Sequence, residues 1–156
     1  MSSTSSGADL LARVDADLKQ AMRDRDEVRK LTLRSAKTAL TEAAKESENH
    51  DLSAEKVMAV LQREAKKRKE AAAEFDKAGD STRANAERAE LAVLETYLPQ
   101  ALSEAEVRAL VQAAIAETGA ASAKEMGKVM SALMPKLGGR ADGKQVSALV
   151  REALGG

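Results

Sequence analysis

The fold is decided at the stretch Tyr97-Leu-Pro-Gln-Ala-Leu-Ser-Glu-Ala-Glu106, which ends one helical pattern and begins another. Proline disfavours helix in the residue before it, so Pro99 ends the helix upstream. Ser103 and Glu106 have the spacing of a capping box, in which each side chain accepts a hydrogen bond from the other residue's backbone N–H at a helix start. The stretch therefore predicts a boundary near residue 99 between two groups of helices.

Upstream of this boundary, apolar residues recur every three or four positions, which is typical of helices with one buried face. The pattern predicts four longer helices, the first over about residues 9–22 and the second over about 26–45. In the second helix, Val28 and Leu31 are among the residues predicted to face inward.

Downstream, the pattern predicts three short helices separated by glycines. Ser122 and Glu125 repeat the capping-box spacing, Pro135 breaks the middle helix, and Asp142 starts the last one. Since no segment alternates with period two for long enough to be a strand, the predicted fold class is all-α. The predicted organisation is a disordered N-terminus at 1–8, a four-helix N-terminal subdomain at 9–99 and a small three-helix C-terminal subdomain at 100–156.

The composition argues against several classes of function. Aromatic residues make up only 1% of the 156 residues, so the chain offers no platform on which single-stranded bases could stack. It contains no cysteine, which excludes thiolate catalysis and fits a reducing cytosol. No apolar run approaches the ~20 residues that span a bilayer, and the polar first residues lack the apolar core expected of a signal peptide. We expect a cytoplasmic protein without membrane contact.

The formal net charge is zero, but the cations are concentrated toward the C-terminus. Residues 122–156 hold six cations and three acids, an excess of three. The cations are Lys124, Lys128, Lys136, Arg140, Lys144 and Arg151. Several lie beside glycines at predicted helix starts, where backbone N–H groups and the helix dipole also favour anions. Polyanion binding is therefore expected here, the alternative being a solvated basic face.

Three other patterns lead to no catalytic or metal site. Gly138-x4-Gly143-Lys144 resembles a phosphate-binding P-loop, but Gln145 stands where Ser or Thr would hold magnesium, and no strand precedes it. His50, the only histidine, lies in a polar loop. The basic run at 63–69 points around its helix in nearly all directions, so we interpret it as a solvated turn. We predict no catalytic residue, no metal and no cofactor.

Several segments together resemble the GatB/YqeY family over about residues 9–154. They are Leu31-Thr-Leu-Arg34, Glu90-Leu-Ala-Val-Leu-Glu-Thr-Tyr-Leu-Pro-Gln100, Ala116-Glu-Thr-Gly119, Met126-Gly-Lys-Val-Met130 and Gly139-Arg-Ala-Asp-Gly-Lys144. The resemblance implies four helices followed by a small three-helix part. Related domains form the tail of the B subunit of the tRNA-dependent Asp/Glu amidotransferase and occur in some glutaminyl-tRNA synthetases. There they help to hold tRNA.

Carried onto this chain, the resemblance implies a non-catalytic tRNA-binding module that supports tRNA-dependent amidation or aminoacylation. The candidate tRNA contacts are Gly127, Lys128, Gly139, Arg140, Gly143 and Lys144. A second hypothesis is a protein–protein adaptor for an amidotransferase or a glutaminyl-tRNA synthetase, docking through the long helices. A third is the family-level carbon–nitrogen ligase activity with glutamine as amido-N-donor, for which the chain supplies no catalytic residues. The sequence leaves the oligomeric state open.

Overall fold

The computed structural model describes residues 6–50 and 52–155, and all regular structure in these ranges is helical. The α-helices are α1 (Gly7–Asp24), α2 (Glu27–Glu46), α3 (Ala54–Lys77), α4 (Ser81–Glu95), α5 (Glu104–Thr118), α6 (Met126–Leu137) and α7 (Gly143–Ala153). A 3-10 turn, Ala123–Glu125, precedes α6. The predicted all-α fold class is confirmed. None of the helices described is long and apolar enough to cross a membrane.

The chain divides into two compact units, the first extending to Leu98 and the second beginning at Pro99. Helices α1 to α4 belong to the first, where polar side chains start each helix: Ser6, Asp26, Ser53 and Asp80 accept a hydrogen bond from a backbone N–H in the first turn. Its core is built from buried residues that include Leu10, Val14, Leu18, Leu33, Ala36, Leu40, Val57, Leu61, Leu94 and Tyr97.

The start of α1 corrects one expectation. We expected residues 1–8 to be disordered, but α1 begins at Gly7, and Ser6 forms a capping box with Asp9. The expectation is therefore wrong for residues 6–8, because the local Ser-x-x-Asp pattern supplies the first turn with its hydrogen bonds. Residues 1–5 lie outside the described part of the chain.

Gly7 is buried where α1 starts, against the backbone that precedes α3. A Cβ at this position would lie 2.1 Å from the carbonyl oxygen of Leu52 and 2.9 Å from the carbonyl carbon of Ser53. Because these atoms belong to the backbone, they cannot move aside as a flexible side chain would. We therefore expect Gly7→Ala to lower the free energy of unfolding by about 1–3 kcal/mol, the range for overpacked sites.

Urea denaturation followed by NMR at α1 amides measures this loss. Gly127→Ala is the matched control, because a Cβ at Gly127 would meet nothing within 4 Å. Alanine also has the higher helix propensity, so the control should leave the stability of α6 unchanged or slightly raised. Equal stability of Gly7→Ala and the unaltered chain would contradict the close approach.

The outer face of α2 corrects a second expectation. Val28 and Leu31, predicted to face inward, are 44% and 55% exposed. Ala36 and Leu40, which were also predicted to face inward, are buried, and Leu33 is buried with them. Because α2 packs against its neighbours through Leu33 and Leu40, the opposite face, which carries Val28 and Leu31, remains exposed.

The second unit contains α5, α6 and α7 around its own core. The core consists of Val107, Val111, Ala114, Val129, Leu133, Leu137, Val146, Leu149 and Val150. The predicted capping box of Ser103 and Glu106 is confirmed, with both reciprocal hydrogen bonds formed. Pro135, predicted to break α6, instead lies inside it. Pro135 is exposed in the last turn of α6. Its missing N–H therefore removes only one backbone hydrogen bond, at a position that faces solvent.

Candidate nucleic-acid interface

The loop between α6 and α7 reverses the chain at two glycines. Gly138 and Gly139 have φ values of 56° and 73°, in the left-handed region that glycine adopts without strain. Two residues of this kind in succession end α6 and lead within a few residues to the start of α7. The predicted contacts Gly139, Arg140, Gly143 and Lys144 are thereby brought together in one short segment.

Arg140 closes the end of α6 with its side chain. Its Nε donates to the carbonyl oxygen of Leu137 at 3.0 Å, and its Nη2 donates to that of Lys136 at 3.2 Å. The carbonyl oxygen of Arg140 accepts from the backbone N–H of Leu102 at 2.9 Å, which ties the loop to the segment before α5. The half-buried Arg140 therefore holds the loop in place and presents only its remaining N–H donors to a partner.

Because Arg140 bonds the end of α6, its replacement should change the structure locally, whereas replacement of Lys144 should not. We expect Arg140→Ala to lower the stability of the second unit by about 1–2 kcal/mol, because the last carbonyls of α6 lose their charged donor. Hydrogen exchange should accelerate at the amides of the last turn of α6 and of the following loop. The control Lys144→Ala should leave exchange unchanged, since its side chain makes no hydrogen bond or ion pair among the described residues. Equal exchange in both variants would contradict the capping role.

The N-terminus of α7 is capped by a carboxylate. Asp142 Oδ1 accepts a hydrogen bond from the backbone N–H of Lys144 at 3.0 Å. The negative charge of this carboxylate would repel an incoming phosphate at the helix start. The backbone N–H groups alone therefore make a weak anion site. The exposed ammonium of Lys144 is the stronger attraction at this end of α7.

Gly127 and Lys128 lie in a different setting from the one we expected. They belong to the first turn of α6 rather than to a turn between helices, because the 3-10 turn at Ala123–Glu125 runs directly into α6. The predicted capping box of Ser122 and Glu125 does not form. The Ser122 side chain makes no cap hydrogen bond, while Glu125 Oε2 accepts from the N–H of Ala121 at 2.6 Å.

Glu125, three residues before Lys128, has a lowered pKa. The hydrogen bond from Ala121 is the main cause that lowers the pKa of Glu125, and Lys128 contributes through its charge. Lys128 itself is exposed and makes no ion pair within 4.0 Å with any described carboxylate. Its ammonium is therefore available to an external anion.

The six predicted contacts form two groups rather than one. Lys128 lies nine residues before Leu137, the last residue of α6, which corresponds to roughly 14 Å along a helix that rises 1.5 Å per residue. Gly127 and Lys128 therefore lie at the start of α6, whereas the other four contacts follow its end. A single phosphate cannot bridge this distance.

The segment from residue 122 to residue 156 contains twice as many cations as acids. Among the described residues, Lys124, Lys128, Lys144 and Arg151 have no carboxylate within 4.0 Å. Lys136 does have one, at 2.6 Å in Glu117. Two of the three acids of the segment instead accept hydrogen bonds from the chain's own backbone. Lys124, Lys128, Lys144 and Arg151 are therefore exposed cations that form no ion pair among the described residues, and only Lys128 interacts through its charge with a nearby acid, Glu125.

The basic run on α3 is arranged differently. Lys66 pairs with Glu70, Lys67 with Glu64, and Arg68 with both Glu64 and Glu90. Most of its positive charge is thus balanced within the first unit. The exposed Lys66 and Lys67 agree with the interpretation of the run as a solvated turn, but the interpretation is wrong for Arg68, whose side chain is largely buried.

One cluster escaped sequence reasoning because its members lie about eighty positions apart. The Tyr97 hydroxyl donates a hydrogen bond to the carboxylate of Asp17, and the guanidinium of Arg13 stacks 4.5 Å from the Tyr97 ring centre. Arg13 Nη2 also donates to the carbonyl oxygen of Thr96 at 3.0 Å. Burial, and then the contact with Asp17, raise the pKa of Tyr97, so it remains a neutral donor. The cluster fastens the end of α4 to α1, and the Tyr97 ring is unavailable for stacking on bases.

Comparison with known proteins bears on the whole of this architecture. The chain matches no curated protein in a direct sequence search. A family model described as "Yqey-like protein" matches residues 11–154, which include all seven helices apart from the first residues of α1. Since this match covers nearly the entire chain, the protein belongs to the YqeY-like family.

Proposed function

We propose that this protein is a non-catalytic tRNA-binding module that supports tRNA-dependent amidation or aminoacylation in the cytoplasm. The observation that supports the proposal is that Lys124, Lys128, Lys144 and Arg151 are exposed and form no ion pair within the described part of the chain. Phosphate contacts from Lys and Arg supply most of the affinity of proteins for nucleic acid, and they require cations that are not already neutralised.

The chemistry of the second unit favours backbone contact over base reading. Residues 99–156 contain no aromatic side chain, so no base can stack on this unit. Flexible lysines at both ends of α6 suit phosphates at more than one position on a folded RNA. We infer that the module recognises the shape and charge of tRNA helices, with Gly127, Lys128, Gly139, Arg140, Gly143 and Lys144 at or near the contact.

The proposal assigns no chemical step to the chain. A glutamine-dependent amidation would need an activated nucleophile to release ammonia, and the residues suggest none. The amidation or aminoacylation would be performed by a separate enzyme, an amidotransferase or a glutaminyl-tRNA synthetase, while this module holds the tRNA.

Electrophoretic mobility shift of total tRNA across a salt series tests the proposal. Binding through phosphates releases counterions, so log K should fall linearly with log salt concentration, by nearly one unit for each phosphate contact. An adaptor that docks by apolar contact would show no tRNA shift and little salt dependence towards its protein partner. The absence of any shift at about 50 mM salt, where electrostatic binding is strong, would refute the proposal.

A further inference from the structure

The exposed large apolar side chains of the first unit are concentrated at one end of the α1–α2 hairpin. Met22 is 49% exposed, Val28 44% and Leu31 55%. Single exposed apolar residues are ordinary, but a group of them on one surface marks an interaction site. Met134 of the second unit is the other large apolar side chain exposed in the described part of the chain.

The hairpin geometry places the three residues at one level. Asp15 of α1 and Lys37 of α2 form an ion pair of 2.5 Å, as expected for antiparallel helices joined through the short turn at Arg25. In such a pair Met22 lies level with the first turn and a half of α2, which contains Val28 and Leu31. Spacings of three place Val28, Leu31 and Arg34 along the outer face of α2, away from its buried stripe.

Unpaired cations flank this apolar surface. Arg25 and Arg34 are exposed, and neither lies within 4.0 Å of a carboxylate among the described residues. Three exposed acids lie nearby: Asp24 accepts from Gln20, Asp26 caps α2, and Glu27 pairs with Lys30. Residues 22–34 contain five cations and three acids, so the surface is apolar at its centre and has a net positive charge.

The backbone at the hairpin tip adds a further observation. Arg25 has a φ of 56°, in the left-handed region that costs a non-glycine residue roughly 1–2 kcal/mol. Glycine would close this turn without that cost. The chain thus keeps a long cationic side chain beside the apolar residues at a position where the fold alone favours glycine.

We propose that this hairpin surface, made of Met22, Arg25, Val28, Leu31 and Arg34, docks a partner protein through a helix whose apolar residues are flanked by Asp or Glu. Charge complementarity selects this occupant. A symmetric contact with a second copy of the chain would place this positively charged surface against itself, and like charges disfavour that arrangement. A surface of about five residues is small for a stable complex, so the contact is weak and transient.

The test uses the full ¹⁵N-labelled chain and three synthetic 18-residue helical peptides. The first carries leucine at helical spacing with glutamate on the flanks, the second replaces each glutamate by lysine, and the third has the composition of the first in scrambled order. The glutamate peptide should shift the amide signals of residues 22–34, and the other two should not. Shifts spread over the chain, no shift with the glutamate peptide, or equal shifts with the lysine peptide would overturn the proposal.

Two variants sharpen the result. Leu31→Ser, a change at an exposed position, should abolish the shifts, and Arg34→Glu should transfer the preference from the glutamate peptide to the lysine peptide. The control is Lys56→Glu, an equal change of charge at an exposed position of α3. This variant should bind the peptides as the unaltered chain does. An unchanged preference in Arg34→Glu would overturn the charge argument.

Two other occupants would be visible in the same spectra. Shifts at residues 22–34 that grow with protein concentration alone would identify a second copy of the chain as the occupant. Shifts of the same amides by tRNA would identify RNA instead. Either result would overturn the commitment to an acidic protein partner, and neither depends on the tRNA contacts proposed for the second unit.

Discussion

A variant with Lys124, Lys128 and Lys144 all replaced by glutamine is expected to bind tRNA roughly 10- to 100-fold more weakly than the unaltered chain at low salt. These lysines are exposed and have no carboxylate partner among the described residues, so their charges act on an external partner. The slope of log K against log salt should also fall by about one unit for each phosphate that the variant no longer neutralises. Filter binding at several salt concentrations measures both effects.

Arg140 is left unchanged in this variant because its side chain bonds the last carbonyls of α6. Weaker binding in Arg140→Ala could come from the missing charge or from a disturbed loop. The glutamine replacements remove charge without removing any hydrogen bond observed in the described structure.

The matched control replaces Arg63, Lys66 and Lys69 of α3 by glutamine. It removes the same number of exposed cations, so a general effect of net charge would weaken binding equally in both variants. We expect the control to bind nearly as the unaltered chain does. If the control no longer bound tRNA and the first variant still did, α3 would be the binding surface and the assignment to the second unit would be wrong.

The second large effect is expected at a buried ionic cluster in the first unit. Glu64 is only 7% exposed, and its carboxylate accepts from Arg68 at 2.5 Å and from Lys67 at 3.1 Å. Arg68 also reaches Glu90 of α4 at 3.3 Å and Ser35 of α2 at 3.2 Å. One guanidinium thus connects three helices.

We expect Arg68→Met to lower the free energy of unfolding by about 3–5 kcal/mol, the usual cost of leaving a buried charge without its main partner. Urea denaturation at neutral pH measures this decrease. Replacing both Glu64 and Arg68 by methionine should recover most of it, because apolar residues of similar volume tolerate this environment. Lys66→Met, at an exposed position on the same helix, should change stability by less than about 0.5 kcal/mol.

The same cluster predicts a dependence on pH. Burial would raise the pKa of Glu64, but hydrogen bonds from Arg68 and Lys67 outweigh it, so the pKa lies below its ordinary value of 4.5. A carboxylate with a lowered pKa stabilises the fold above that ordinary value, and the contribution is lost as pH falls through the folded-state pKa. The stability difference between the unaltered chain and Arg68→Met should therefore narrow below about pH 4.5. A difference independent of pH would contradict the role of the ionised Glu64.

Local signals in the sequence predicted the helices and most of their buried faces, but they assigned the first turns of α2 to the wrong face. The Ser103 capping box depends on residues three apart, and it forms as predicted. Val28 and Leu31 also have helical spacing, yet they are exposed because α2 packs through Leu33 and Leu40. Helical spacing shows which apolar residues could share a buried face. Which of them are buried depends on how the helix packs against its neighbours.

At the candidate site, the sequence predicted where the cations are but not which of them form ion pairs. The sequence identified the cations of residues 122–156, but their ion pairs depend on contacts between distant residues, such as Lys136 with Glu117. Arg140 was grouped with the lysines by its charge, whereas its position after two left-handed glycines turns its side chain back onto α6. Which cations remain available to a phosphate could be established only from the folded structure.

The central claim is that tRNA contacts this protein through the second unit, at both ends of α6. Amide chemical-shift mapping of the full chain with total tRNA at low salt tests it most directly. The account predicts shifts or line broadening at residues 124–128 and 139–145, with residues 63–69 unaffected. Perturbation confined to α3, or the absence of any perturbation beyond residue 99, would contradict it.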